Sequence, residues 1–174
     1  MIETTLQDSN FEILEHIPAA DIAALEHALD EDAVAKGIPP YKSKPIGIFQ
    51  RDPAKKIIAG CVGNFTWDWL YVDLLWVDVR HQRQGLGKRL MSEAESIAKQ
   101  RDCTGVWVWT EDFQAPDFYQ KQGYEIFCQF PDFPKGHQRI GLRKIFSAAK
   151  MREWPDDIGL SGTSRTMKGT DGYV

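Results

Sequence analysis

The sequence is poor in cysteine. Cys61, Cys103 and Cys128 are its three cysteines, an odd number at wide spacings, with no CxxC pair and no Cys/His grouping. A disulfide framework needs an even set of cysteines, and a cysteine-rich zinc site needs close ligand pairs, so both classes are excluded. We therefore expect reduced, structural cysteines and no metal.

Long apolar runs are also missing. No stretch approaches the roughly 20 residues that a membrane-spanning helix requires. The N-terminal residues MIETTLQDSNFEI have neither a basic start nor the apolar centre of a secretion signal. These absences predict a protein without a membrane partner and with a cytoplasmic location.

Basic residues are fewer than acidic residues. Lys and Arg number 21 against 25 Asp and Glu, which gives a formal net charge of −4. Binding to the backbone of a nucleic acid needs an extended basic surface, so we expect no nucleic-acid partner.

The chain is otherwise ordinary for a globular protein, with 43% hydrophobic and 26% charged residues. Its 174 residues suit one domain, placed at residues 1–150. Residues 151–174 form a C-terminal tail rich in Gly, Ser, Thr and Asp.

The pattern of apolar residues predicts a mixed α/β fold. A helix is expected over residues 18–36, with Ile22, Leu25, Leu29 and Val34 roughly on one face. Further helices are expected over residues 85–101 and 114–122, and a short strand is an option near Ile2 to Leu6. The expected strands cover residues 44–51, 56–67, 69–80 and 105–110, with two more beginning at Tyr124 and His137. Residues 69–110 would form one strand–helix–strand crossover.

A glycine turn stands between the third of these strands and the helix after it. Around Gly85 and Gly87 the sequence VDVRHQRQGLGKRLM gathers four basic residues, Arg80, Arg83, Lys88 and Arg89. The first amides of a helix lack internal partners, and residues 82–85 contain no Ser, Thr, Asp or Asn that could cap them. A phosphate group would satisfy these amides. The alternative is a tight turn without a ligand.

Two other phosphate-binding motifs do not fit this turn. A Walker A loop requires glycine where Gln82 stands and Ser or Thr where Arg89 stands. A dinucleotide fingerprint requires glycine at the position of Leu90.

The sequence instead resembles the GNAT superfamily of acyl-CoA N-acyltransferases, and within it bacterial single-domain N-acetyltransferases. Residues 82–87, QRQGLG, match the [QR]xxGx[GA] signature of that superfamily. Residues 115–124, APDFYQKQGY, resemble its AxxFYxKxGY element at a fitting distance. The resemblance covers residues 44–146 well, the first helix loosely and the tail not at all.

This resemblance implies a mostly antiparallel, twisted sheet with two splayed central strands and flanking helices. The pantetheine arm of acetyl-CoA would enter the gap between strands 69–80 and 105–112, with no metal involved. The residues that the resemblance assigns to acetyl-CoA binding are Val77, Val79, Gln82, Arg83, Gln84, Gly85, Leu86, Gly87, Lys88, Ala115 and Phe118.

The resemblance also implies two proton-transfer roles. Tyr119 matches the tyrosine that protonates the leaving thiolate, although it could simply pack with Phe118 on the sheet. The base that accepts the proton of the amine is sought among Asp73, Glu111, Asp112, His81 and His137. We favour Asp73 because it lies in an apolar strand, where a buried, unpaired carboxylate is costly. The alternative is a structural Asp73 bonded to backbone or to a tyrosine.

The acceptor side is marked only by aromatic residues. Trp67, Trp69 and Tyr71 stand at alternate positions and would project from one face, and Trp107 and Trp109 would share a face of the next strand. Such stripes either belong to the core or form an aromatic wall for an organic amine or a cation, which Tyr41 and Phe113 could join.

We therefore expect an N-acetyltransferase that acts on a primary amine of a small molecule, namely a drug, a polyamine or an amino acid. The alternatives are a protein N-terminal or lysine acetyltransferase, and a non-catalytic acyl-CoA binding or sensing domain. A homodimer, formed through the tail or the last strands, is a further expectation from the resemblance.

Overall fold

The computed structural model describes residues 11–146, which form three α-helices and one six-stranded sheet. The helices are α1 (Ala19–Ala35), α2 (Leu86–Gln100) and α3 (Pro116–Gln120). The strands are β1 (Ser43–Arg51), β2 (Ile57–Thr66), β3 (Trp69–Val77), β4 (Gly105–Glu111), β5 (Glu125–Pro131) and β6 (Gln138–Ile145). The expected strand near Ile2 to Leu6 and the C-terminal tail lie outside the described residues.

The strands are arranged in the order β1-β2-β3-β4-β6-β5. All neighbours are antiparallel except β3 and β4, which run parallel and are connected through α2. The mixed α/β class, the mostly antiparallel sheet and the crossover through the helix at residue 86 are thereby confirmed. Within residues 11–146 no helix is long and apolar enough to cross a bilayer.

The central strands β3 and β4 part from each other. Their pairing runs from Trp69 opposite Gly105 to Val72 opposite Val108 and then stops. Beyond that point β3 stays paired with β2 as far as Val77, and β4 stays paired with β6 as far as Glu111. Because each strand follows its outer neighbour, the sheet opens in the middle, which is the splay that the resemblance implied.

A β-bulge lies where the two strands separate. In the β2–β3 pair Val62 faces Leu74 and Gly63 faces Val72, so Asp73 is an extra residue with no partner. A bulge bends its strand and increases the local twist, which here directs the end of β3 away from β4. Gly63 is required at this point, because a Cβ atom on it would collide with the carbonyl oxygen of Tyr71.

The core lies between α2 and one face of the sheet. The buried residues of α2 include Leu90, Met91, Ala94 and Ala98, as the apolar stripe of the sequence predicted. They pack against a buried set from four strands, namely Ala59, Cys61, Phe65, Leu70, Val72, Val106, Val108, Ile140 and Leu142. The opposite face of the sheet carries the aromatic residues of β3 and β4, which are only half-buried.

Helix α1 does not contribute to this core. None of its residues is buried, and Leu25 and Leu29 of its apolar stripe are 67% and 69% exposed. The segment after α1 is connected to the β2–β3 turn by the Trp67 indole N–H, which donates to the Pro39 carbonyl at 2.9 Å, and by an edge-on contact of Trp67 with Tyr41. Trp67 therefore belongs to this turn and not to a strand shared with Trp69 and Tyr71.

We predict that truncating a core leucine and truncating a leucine on α1 lower the free energy of unfolding by different amounts. Leu142→Ala removes a fully buried side chain and should lower the free energy of unfolding by about 2–5 kcal/mol. Leu29→Ala, the matched control on α1, should lower it by less than about 0.5 kcal/mol. Urea denaturation of both variants measures these losses. Equal losses would show that α1 packs on the sheet in solution.

Candidate active site

The parting of β3 and β4 opens a cavity of about 870 Å³ in the middle of the sheet. The cavity begins near Asp73, where the strands separate, and extends to the glycine turn that follows β3. Its walls come from β3, the glycine turn, β4 and α3. The lining residues are Asp73, Leu74, Leu75, Trp76, Val77, His81, Gln82, Arg83, Gly85, Leu86, Gly87, Lys88, Val108, Trp109, Thr110, Gln114, Ala115, Phe118 and Tyr119.

The glycine turn presents backbone amides to this cavity. Arg83 and Gly85 both have positive φ angles, 59° and 79°, and Gly85 caps α2 without a side-chain hydrogen bond. The first internal hydrogen bond of the helix is from the Arg89 amide to the Gly85 carbonyl. In the part of the chain that the structure describes, the amides of residues 86–88 meet no acceptor. Together with the helix dipole they form a site for an anion.

The space beside the Cα atom of Gly87 is limited by the side chains of Phe118 and Val77. A Cβ atom on Gly87 would lie 3.2 Å from Cζ of Phe118 and 3.8 Å from Cγ2 of Val77. All three residues line the cavity. A side chain at this position would therefore narrow the cavity beside the free amides, which explains the need for glycine.

Asp78 determines where β3 ends. Its carboxylate accepts from the Arg80 amide and from the Arg80 guanidinium, at 3.0 Å from Nε and 2.8 Å from Nη2. These bonds hold the pKa of Asp78 well below its usual range. They also turn residues 79–81 into a short 3₁₀ helix, so the expectation of a strand as far as Arg80 is wrong. The Arg80 guanidinium is paired with Asp78, and Arg80 does not line the cavity.

β3 ends at Val77, and two of the residues predicted to bind acetyl-CoA do not line the cavity. Val79 lies in the 3₁₀ helix, is 77% exposed and does not line the cavity. Gln84 does not line it either, and its side-chain amide donates to the Arg80 carbonyl at 3.3 Å. Gln82 lines the cavity and braces the turn by donating to the Val77 carbonyl at 3.2 Å. All the other predicted acetyl-CoA residues line the cavity.

Tyr119 is a buried phenol in the wall of the cavity, only 6% exposed. Its ring packs edge-on against Phe118 at 5.0 Å and against Tyr124 at 5.9 Å between centroids. Burial, with a smaller contribution from Cys61, raises the pKa of Tyr119 to about 12. The phenol is therefore protonated at neutral pH and can act as a proton donor. Tyr119 thus packs against Phe118 and also lines the cavity, and its role as proton donor stays a prediction.

Asp73 lines the same cavity, just beyond the last β3–β4 pair, and is exposed to solvent. The expectation of a carboxylate buried in an apolar strand is wrong, because the bulge turns this residue outward. Its Oδ1 accepts a hydrogen bond from the Tyr71 hydroxyl at 3.1 Å, the tyrosine contact that the sequence left as an alternative. An exposed carboxylate beside the cavity can still accept a proton.

The remaining candidate bases differ in position. His81 lines the cavity beside the glycine turn. Glu111, Asp112 and His137 do not line it. Asp112 pairs with the His137 ring at 3.1 Å, and Glu111 lies 3.7 Å from Nε of Arg139.

Several lining residues had no signal in the sequence. Leu74, Leu75 and Val108 look like core residues of a strand, and only the splay exposes them to the cavity. Gln114 fixes the turn between β4 and α3, because its side-chain oxygen accepts from the Thr110 hydroxyl at 2.9 Å and from the Glu111 amide at 3.2 Å.

Comparisons with known proteins agree with this geometry. Residues 15–124 match the model of a family described as Acetyltransferase (GNAT) family. Over 82 residues the chain is 48% identical to the blasticidin-S acetyltransferase of Streptomyces morookaense, a match that spans 47% of this chain and 60% of that protein. The matched stretch is thus less than two thirds of that relative.

Solved structures share the fold. An acetyltransferase from Bacillus cereus ATCC 14579 superimposes with a TM-score of 0.69 at 26% identity, covering 77% of this chain and 97% of the other. An aminoglycoside 6'-N-acetyltransferase complexed with coenzyme A gives 0.52 at 15% identity over 58% and 72% of the two chains, a likeness of fold alone. The family match extends over more than half of the chain and contains both the glycine turn and Tyr119. The chain therefore belongs to the GNAT family of acetyltransferases.

Proposed function

We propose that the protein transfers the acetyl group of acetyl-CoA directly to a primary amine of a small molecule. One observation carries this proposal: the splayed strands lead from a row of unbonded amides to a buried, protonated Tyr119 within one cavity. The relative named for blasticidin S, an antibiotic, supports a small molecule as the acceptor.

In this proposal acetyl-CoA binds along the cavity. The amides of Leu86, Gly87 and Lys88 would hold the diphosphate, with Arg83 and Lys88 adding positive charge beside it. Backbone groups of β3 beyond Val72, which β4 leaves unpaired, would bind the pantetheine arm near Val77, although the Val77 carbonyl already accepts from Gln82. Ala115 and Phe118 would form the wall beyond it.

When bound, acetyl-CoA supplies a thioester that the amine can attack. Tyr119 then donates its phenolic proton to the departing sulfur, while the new C–N bond forms and the C–S bond breaks. Asp73, directly or through water, takes the proton that the amine releases. No covalent intermediate on the protein is required, because the residues position the reactants and move two protons.

An acceptor screen tests this function. The protein is incubated with acetyl-CoA and a metabolite extract, release of free coenzyme A is followed, and acetylated products are identified by mass spectrometry. Acetylated small amines are expected. Acetylation of peptides alone would identify a protein acetyltransferase. Binding of acetyl-CoA without transfer to any amine would identify a sensing domain.

Replacing Tyr119 by phenylalanine removes the proton donor and leaves the ring. We expect kcat to fall on the order of 100-fold while the Kd for coenzyme A stays nearly unchanged. The matched control is Tyr124→Phe, which removes another buried phenol, bonded to Glu95 at 3.2 Å and outside the cavity lining. This control should lose stability and keep its kcat. An unchanged kcat in Tyr119→Phe would remove this residue from the mechanism.

Replacing Gly87 by alanine separates ligand binding from stability. Alanine favours the helix over glycine by about 1 kcal/mol, which offsets the tight approach to Phe118, so thermal stability should not fall by more than a few degrees. The added methyl group narrows the site beside the free amides, and the Kd for coenzyme A should rise by at least about tenfold. Calorimetric titration together with a melting curve gives both values. Unchanged affinity would contradict the position proposed for the diphosphate.

A further inference from the structure

The acceptor end of the cavity continues into an aromatic surface. Tyr71 and Asp73 lie on β3, and Trp107, Trp109 and Glu111 lie on β4. Tyr71 is paired with Trp107 in the sheet, and their rings stack with centroids 4.2 Å apart. Side chains two apart in a strand share a face, so the three aromatic rings lie together on the side of the sheet opposite α2.

Trp109 connects this surface to the cavity. It lines the cavity together with Asp73, one residue beyond the last β3–β4 pair. Its other neighbour is Gly141 of β6, where a Cβ atom would lie 2.8 Å from Cζ3 of Trp109. The indole therefore lies over a strand position that has no side chain. The rings of Phe127 and Phe130 flank it at 5.7 and 5.5 Å.

Charged residues of both signs surround this surface. Asp73, Glu111 and Arg139 all act on the Tyr71 hydroxyl. Arg139 lies 3.7 Å from the Glu111 carboxylate and places its guanidinium over the Trp109 ring at 5.5 Å. Arg143, the β6 partner of Trp107, places its guanidinium 5.9 Å from the centroid of the Phe127 ring. The Asp73 carboxylate lines the cavity, where it can pair with an incoming ammonium group.

From this geometry we infer that the acceptor is a primary amine that carries a flat conjugated ring. The ring packs against Trp109, the member of this aromatic surface that lines the cavity, and the amine lies beside Asp73. A flat ring gains from stacking on an indole, which a saturated ring of the same size does not. Amines without a ring, such as polyamines, lack this packing gain. This inference rests on the proposed function and narrows its acceptor class.

Two amines of nearly equal size test the inference. 2-Phenylethylamine and 2-cyclohexylethylamine carry the same ammonium group on the same linker and differ in the flatness of the ring. With acetyl-CoA saturating, kcat/KM should be at least about fivefold higher for the phenyl compound, a stacking gain of about 1 kcal/mol. Spermidine should be a poorer acceptor than either.

Variants of Trp109 test whether this residue causes the preference for the phenyl compound. Trp109→Leu should bring the phenyl to cyclohexyl ratio close to one, and Trp109→Phe should restore most of it. The control is Phe49→Leu, a half-exposed ring on β1 that does not line the cavity and should leave the ratio unchanged. Melting curves for each variant establish that it is folded.

The possible outcomes distinguish a failure of the aromatic acceptor from a failure of the proposed acetyltransferase function. Acetyl transfer to both amines with a ratio near one, or a ratio that Trp109→Leu leaves intact, would overturn the aromatic acceptor and leave the acetyltransferase standing. Binding of coenzyme A without transfer to any of the three amines or to the extract would overturn the proposed function, and the inference with it.

Discussion

The structure depends on the separation of two parallel strands. β3 and β4 share four residue pairs and then part, because β3 continues along β2 and β4 continues along β6. In an intact sheet the backbone groups beyond Val72 would be bonded across the pair. Their release forms the walls of the cavity, and it lets apolar residues such as Leu75 and Val108, which also pack in or against the core, line that cavity. The bulge at Asp73 sets the point of separation and places a carboxylate at its edge.

The same region shows how an acidic protein builds an anion site. In the proposed site the positive charge comes from main-chain amides at the start of α2 and from Arg83 and Lys88, while other side chains around them have separate tasks. Arg80 is held by Asp78 and ends the strand, while Gln82 and Gln84 brace the turn through bonds to backbone carbonyls. Such a site depends on chain geometry, which explains why glycine is needed at position 87 and why a net charge of −4 is no obstacle.

Much of the architecture could be predicted from the sequence. The alternation of β3, the apolar stripe of α2 and the uncapped glycine turn each have a local physical cause, and all three were found as expected.

The end of β3 was missed because it depends on an ion pair between Asp78 and Arg80 that a strand-like pattern conceals. The exposure of Asp73 was missed because a bulge is set by pairing with β2. The apolar stripe of α1 predicted a buried face that the structure does not show, since periodicity gives a helix its stripe without supplying a partner. The roles of Tyr119 and Asp73 in catalysis stay predictions.

The central claim is that the amides of Leu86, Gly87 and Lys88 hold the diphosphate of the acyl carrier. Calorimetric titration with coenzyme A and with pantetheine, which has the same thiol arm but lacks the diphosphate and the 3'-phosphoadenosine attached to it, tests it most directly. Two or more charge-assisted hydrogen bonds should make coenzyme A bind on the order of 100-fold more tightly than pantetheine. Equal affinities for the two compounds would contradict the account.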